Sequence, residues 1–247
     1  MSATDLLLFD CGNSTINSAI SRNGEFPDNF FTFNHKDNDI EDQLVSYIRK
    51  NGIFRAVFVS VVPMLTQTLL SVFDKEGVAC IEFYADQCGV SSLYTNPGSD
   101  RILFAYSIKT FYPGRAMCLI DAGTALTVDG LDRSGRFLGG FIMPGVKTAF
   151  TSIARGAALL SGYELSISHS VGIDTESSFG SGLSVLYSGG LKAAIEKISA
   201  LCGDKVDVVL TGGDGPLVKE LLSDCLLVYD PLILLKGLVV YYYNCSH

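Results

Sequence analysis

Leu6-Leu7-Leu8-Phe9-Asp10-Cys11-Gly12-Asn13-Ser14-Thr15 runs an apolar strand into an acidic, glycine-containing, hydroxyl-rich turn. Halfway along the chain, Cys118-Leu119-Ile120-Asp121-Ala122-Gly123-Thr124-Ala125-Leu126-Thr127 does the same. Both copies read Asp-x-Gly-(Asn/Thr)-(Ser/Ala). An aspartate at a strand end can hold a cation, a glycine lets a ligand approach the backbone, and the following amides and hydroxyls can cradle phosphate oxygens. Asp-x-Gly also closes ordinary hairpins, and either aspartate can be a mere hairpin acid. Two copies, each set between two strands, point instead to ATP held between two similar domains.

The repeat extends outward from these turns. Second strands are expected at 16–21 and 126–132, third strands at 30–34 and 137–143, and a helix follows each set. Ile40, Leu44, Tyr47 and Ile48 share one helical face over 40–50. A buried strand at 56–62 ends at Pro63, a helix covers 65–73, and a strand covers 80–84. The second half mirrors this with helices at 147–160 and 177–201, a strand at 206–210 and a last helix from about Leu232. Strands alternating with helices predict an α/β fold with mixed sheets. The expected domains are 1–112 and 113–247, divided by a tight crossing near 110–115 with no low-complexity tether.

Composition narrows the partners. The 247 residues carry a formal charge of −8, which repels nucleic acid and anionic lipid, so phosphate must be bound locally, through amides and a metal. Cysteines 11, 80, 88, 118, 202, 225 and 245 form no Cys-x-x-Cys cluster and are odd in number. Reduced, buried thiols in a cytoplasmic protein fit better than a disulfide framework. His35, His169 and His247 lie in polar or terminal stretches and read as solvated surface residues, not as a metal trio or a triad member. The start of the chain has no basic region, and the apolar run 232–243 contains Lys236 and is too short to span a bilayer, so no membrane partner is expected.

Gly98-Ser99-Asp100-Arg101 opens a helix after the turn Tyr94-Thr95-Asn96-Pro97. A helix cap followed by a surface arginine is one reading. In the functional reading, Asp100 accepts a proton from an attacking hydroxyl and Arg101 grips a substrate carboxylate in a bidentate fork. Gly139-Gly140-Phe141-Ile142-Met143-Pro144-Gly145 and Thr211-Gly212-Gly213-Asp214-Gly215 end strands in glycine, as a strand-to-helix turn or a flat adenine slot requires.

Taken in order, these segments, with Ser60-Val61-Val62-Pro63, Thr175-Glu176 and the stretch 231–238, resemble type III pantothenate kinase over nearly the whole chain. The resemblance implies an actin/hexokinase/Hsp70-type fold of two ribonuclease-H-like domains, a homodimer, and ATP-dependent phosphorylation of pantothenate, the first step towards coenzyme A. It also implies Mg2+ and a monovalent cation, potassium or ammonium. By motif, Asp10, Cys11, Gly12, Asn13, Ser14, Thr15, Ile16 and Asn17 form the first ATP loop, and Thr124 meets ATP from the second. Asp121 binds the monovalent cation, and Asp10 anchors Mg2+ through water. Asp100 is the general base; Tyr94, Gly98, Ser99, Asp100, Arg101 and Thr175 line pantothenate. The chain departs from the family at Ser14, usually threonine; at Asn17, where some members are basic; at Phe104, where many have asparagine; and in a short 94–101 segment. Another kinase on the same fold and a noncatalytic accessory protein are the rival readings. Leu183, Leu186, Leu191, Ala194 and Ile195 around Ser188-Gly189-Gly190 make the 177–201 helix either the dimer contact or an internal core helix.

Overall fold

The computed structural model describes residues 5–222 and 226–245. Contacts divide the chain into two compact units. The first takes the chain up to Ser91, then Thr95–Tyr112 and everything from Leu232 onward; the second takes Ser92–Tyr94 and Pro113–Pro231.

In the first unit, β1 (Leu6–Cys11) is the middle strand because Leu6, Leu7, Leu8 and Phe9 are all buried, which requires cover on both faces. It pairs antiparallel with β2 (Thr15–Ser21), which pairs antiparallel with β3 (Phe31–Asn34). On the other side it pairs parallel with β4 (Arg55–Ser60), and β4 with β5 (Ala79–Glu82). The helix α1 (Ile40–Asn51) carries Glu41 and Asp42 in its first turn and Arg49 and Lys50 in its last, which suits the helix dipole, and stops at left-handed Gly52. Its expected apolar face is borne out: Leu44 and Ile48 are fully buried, with Ile40 and Tyr47 packed beside them. α2 (Pro63–Glu76) starts at Pro63 itself, whose missing N–H costs nothing at the first helical position. Phe73 of this helix meets Phe9 and Phe58 at ring separations of 5.5 and 6.0 Å. α3 (Ser99–Phe111) begins at the Gly-Ser-Asp-Arg segment.

The second unit repeats the plan. β6 (Met117–Ala122) pairs antiparallel with β7 (Ala125–Leu131), β7 antiparallel with β8 (Phe137–Pro144), and β6 parallel with β9 (Asp207–Thr211). Helices α4 (Val146–Gly156) and α5 (Thr175–Cys202) follow, a 3-10 turn Ala158–Leu160 lying between them. A short helix, α6 (Gly215–Leu221), and a fifth strand, β10 (Leu226–Tyr229), pairing parallel with β9, were not anticipated. Counted from the third strand, both sheets have the order third, second, first, fourth, fifth.

The last helix, α7 (Ile233–Cys245), corrects the expected division, which gave 113–247 to one domain. It packs on α3, where a Cβ at Gly237 would lie 1.9 Å from Ser107 Oγ. Tyr241 stacks edge-on to Phe83 at 4.7 Å, and Asn244 Nδ2 donates to Tyr106 Oη at 2.8 Å. Its apolar residues therefore bury in the first unit.

Candidate active site

Asp10 sits one residue before the end of β1, opposite Asn17 of β2 and beside Val59 of β4. Burial, followed by the negative charge of Asp100, pushes its carboxyl up to about 7, with a hydrogen bond from Asn17 pulling the other way. Asn17 is itself steadied by Thr32, whose hydroxyl donates to Asn17 Oδ1 at 2.9 Å. Asp10 and Asp100, far apart in sequence, are thus brought together by the fold of the first unit. The excess of negative charge suits a cation. Among the described residues no three His, Cys, Asp or Glu side chains gather to hold a metal, so a divalent ion at Asp10 needs phosphate and water as its other ligands.

Beyond Asp10 the chain turns tightly, Gly12 N–H donating to Thr15 C=O at 3.0 Å. Gly12 does not adopt a positive φ, and a Cβ there would meet nothing closer than Thr15 O at 3.5 Å. Gly123 in the second copy is the same, with 3.5 Å to Ala125 O. Neither turn requires glycine for its own geometry, which leaves the bare surface for something else to approach. Of the expected nucleotide residues, Cys11 and Ile16 turn their side chains into the core and offer only backbone. Burial, with the charges of Asp10 and Glu82, holds the Cys11 thiol well above the ordinary cysteine range.

Asp100 lies in the first turn of α3, half-buried, with Oδ1 accepting the Arg101 N–H at 2.7 Å. Burial raises its carboxyl above the ordinary value, while that amide and the Arg101 charge pull it back. The capping reading fails in detail, because the cap position is Gly98 and makes no side-chain bond. Gly98 leaves room for the carboxylate as it stands: a Cβ there would lie 2.5 Å from Asp100 Oδ1 and would push that side chain aside. The Arg101 side chain is almost wholly buried, and so is Phe104 one turn on.

In the second unit, Asp121 sits one residue before the end of β6, opposite Thr127 and beside Thr211. Gly212, at φ +93°, passes so near that a Cβ would be 2.5 Å from Asp121 Oδ1. Thr124 is exposed at the turn, and its carbonyl accepts from Gly145 N–H at 3.0 Å and Thr148 Oγ1 at 2.8 Å. Asp214 ties these loops together. Its N–H donates to Ala122 C=O at 2.8 Å; its carboxylate accepts the Lys147 N–H at 3.1 Å and pairs with Lys147 Nζ at 2.8 Å.

Tyr94 groups with the second unit, whereas the Gly98 to Arg101 segment that follows it in sequence groups with the first. Its ring lies on Gly139, where a Cβ would be 2.8 Å from Cδ2, and edge-on to Phe137 at 6.3 Å. Thr175 is exposed at the start of α5, whose cap is Asp174 in a reciprocal pair with Ser177.

Sequence reading missed Thr32, Lys147 and, above all, His35. The histidine follows β3 immediately and is not a bystander: Nε2 lies 2.5 Å from Asn13 C=O at the tip of the first loop. The signal available was its position, one residue past a strand whose last residue, Asn34, pairs with Thr15.

Comparison with known proteins agrees with this geometry. The family model described as type III pantothenate kinase matches residues 6–197. A type III pantothenate kinase of Dehalococcoides mccartyi is 34% identical over 179 residues, 70% of this chain and 68% of that protein. Another, from a second strain, is 30% identical over 251 residues, 96% of each. Among solved structures, a glucokinase from an Antarctic psychrotroph superposes with a TM-score of 0.53 at 12% identity, covering 97% of this chain and 99% of its own. That likeness fixes the fold as actin/hexokinase-type. With the family model covering most of its length and a relative aligned from end to end, the chain belongs to the type III pantothenate kinase family.

Proposed function

We propose that the chain transfers the γ-phosphoryl group of ATP to the primary hydroxyl of pantothenate, giving 4'-phosphopantothenate and ADP, as the first step towards coenzyme A. The observation that carries this reading is the duplicated loop, each copy with an aspartate at the strand end and a glycine that its own turn does not require. The residues 10–17 receive the phosphates through backbone amides and the Ser14 and Thr15 hydroxyls; Thr124 meets the nucleotide from the second loop.

Phosphoryl transfer passes through a loose transition state, so the chain's task is alignment and charge neutralisation. Asp100 orients the pantothenate hydroxyl and takes its proton late, as the bond from phosphorus to the β-γ bridging oxygen breaks and ADP leaves. Its raised proton affinity, set mainly by burial, makes it a better proton acceptor. Gly98, Ser99, Arg101, Tyr94 and Thr175 hold pantothenate. Asp10 would hold a divalent ion, Mg2+, and Asp121 potassium or ammonium; when bound, each would neutralise phosphate charge.

The active form is a homodimer built on α5. Leu183, Leu191 and Ala194 are buried in the core of their own unit, so the core-helix reading holds for that face. The opposite stripe does not: Val185 and Leu186 are 73% and 60% exposed, and Gly182 and Gly189, on the same face at helical spacing, would have nothing within 4 Å of a Cβ. An apolar ridge flanked by bare glycines suits a second copy of the same helix. The formal charge of −8 disfavours nucleic acid. The six described cysteines are free thiols, in keeping with a reducing cytoplasm. Among the described residues no helix is long and apolar enough to cross a membrane.

The deciding experiment incubates purified protein with ATP, Mg2+ and pantothenate, with potassium present or absent, and detects phosphopantothenate. Turnover with other small hydroxylated acids but not with pantothenate would replace the substrate.

A further inference from the structure

We infer that His35 is a positioning residue for nucleotide phosphate, acting by holding the Asn13 carbonyl so that the next amide, Ser14 N–H, is turned to the opposite side. This rests on the reading of 10–17 as the first ATP loop. A carbonyl can only accept, so the 2.5 Å contact requires the proton on His35 Nε2. The peptide link between Asn13 and Ser14 is planar and trans, with its C=O and N–H pointing in opposite directions. Fixing one end fixes the other. An unrestrained turn peptide can rotate and present its oxygen to an anion; a clamped one presents its hydrogen.

The second loop supplies an independent instance. Thr124 occupies the place of Asn13, directly after the glycine, and its carbonyl is held too, by Gly145 N–H at 3.0 Å and Thr148 Oγ1 at 2.8 Å. In both units the clamp comes from residues just past the third strand: His35 after β3, Gly145 and Thr148 after β8. The same peptide of the repeat is therefore fixed twice, by different chemistry. Such a coincidence is explained if the orientation serves the ligand that both loops share. The His35 turn is itself fixed by Asp37 N–H to Asn34 C=O at 3.1 Å and Lys36 N–H to Asn34 Oδ1 at 3.2 Å, so the ring is delivered from a rigid base.

The test is calorimetric titration of the full chain with ADP and Mg2+, alongside steady-state kinetics, for the parent, His35→Ala and His35→Gln. One neutral hydrogen bond is worth up to about tenfold in affinity. His35→Ala is expected to weaken ADP about five- to tenfold and raise the ATP KM in step. The pantothenate KM should stay within about twofold and the ligand-free Tm within about 2 °C. Glutamine, which keeps an N–H donor of similar reach, is expected to recover most of the loss. A further variant, Thr148→Ala, should weaken ADP less, because Gly145 N–H still holds Thr124.

Unchanged ADP affinity in His35→Ala overturns the inference. So does a loss of affinity that glutamine cannot restore and that tracks a fall in ligand-free Tm, which marks a purely structural contact. A parent that binds ADP but does not phosphorylate pantothenate defeats the kinase reading while the His35 effect on ADP still supports the clamp. A parent that binds no ADP defeats both.

Discussion

Asp10, buried and within reach of the charge of Asp100, has its carboxyl lifted from its ordinary 3.8 to about 7, chiefly by the burial. The folded protein therefore binds this proton more tightly than the unfolded chain. The associated stability is fully present below pH 4 and is lost as pH rises through 7. Without nucleotide or divalent ion, Tm is expected to fall across this window. Asp10→Asn should flatten the slope and raise Tm at pH 8 by roughly 3–10 °C. A variant less stable than the parent at pH 8 would show that another group already neutralises Asp10.

Asp100→Asn keeps the shape and the capacity to accept the Arg101 N–H but removes the base. Its kcat is expected to fall at least about 100-fold, with ADP affinity little changed in calorimetry. Near-normal turnover would remove Asp100 from proton transfer.

Two glycine substitutions should part company. Gly12→Ala meets only an ordinary 3.5 Å contact, so it should fold with Tm within about 2 °C of the parent and yet raise the ATP KM at least about tenfold. Gly145→Ala would drive its Cβ to 2.0 Å from Gly123 O and should cost about 2 kcal/mol or more in denaturant unfolding. If Gly12→Ala binds ATP normally, the phosphates do not approach that face of the turn.

The strand-turn-strand repeats were legible because their cause is local: continuous apolar runs such as Leu6 to Phe9 mark central strands, and Asp-x-Gly marks the turns. The α1 face was legible for the same reason, its spacing being set by the helix itself. The return of α7 to the first unit was not, since an almost uniformly apolar helix carries no mark of which core receives it. Nor were α6 and β10, whose seven and four residues are too few for periodicity to speak. His35 looked like a solvated surface residue because its only distinction is a partner 22 positions away. The separate roles of Asp10 and Asp100 came from motif resemblance, but their nearness is a product of the fold, and no spacing rule relates them.

Activity is expected to be low in sodium alone and restored by potassium or ammonium, with Asp121→Ala abolishing the response. Equal rates in all three salts would take Asp121 out of the cation site.

Light scattering is expected to report a dimer, and Leu186→Glu a monomer, since a charge at the centre of the α5 ridge cannot be buried without a partner. If Thr175 serves the partner's site, mixing inactive Asp100→Asn and Thr175→Ala subunits should regain activity through heterodimers with one intact site. A monomeric, fully active parent would end this assignment.

The placement of α7 also sets an order of events during synthesis. The second unit is one uninterrupted stretch apart from Ser92–Tyr94, and can close as soon as it leaves the ribosome. The first unit, although translated earlier, must wait with the α7-facing sides of α3 and its sheet uncovered until residues 233–245 emerge. Until then Leu103, Tyr106 and Phe83, which meet Gly237 and Tyr241 in the folded unit, lack that cover, and transiently exposed apolar surface of this kind is what chaperones guard.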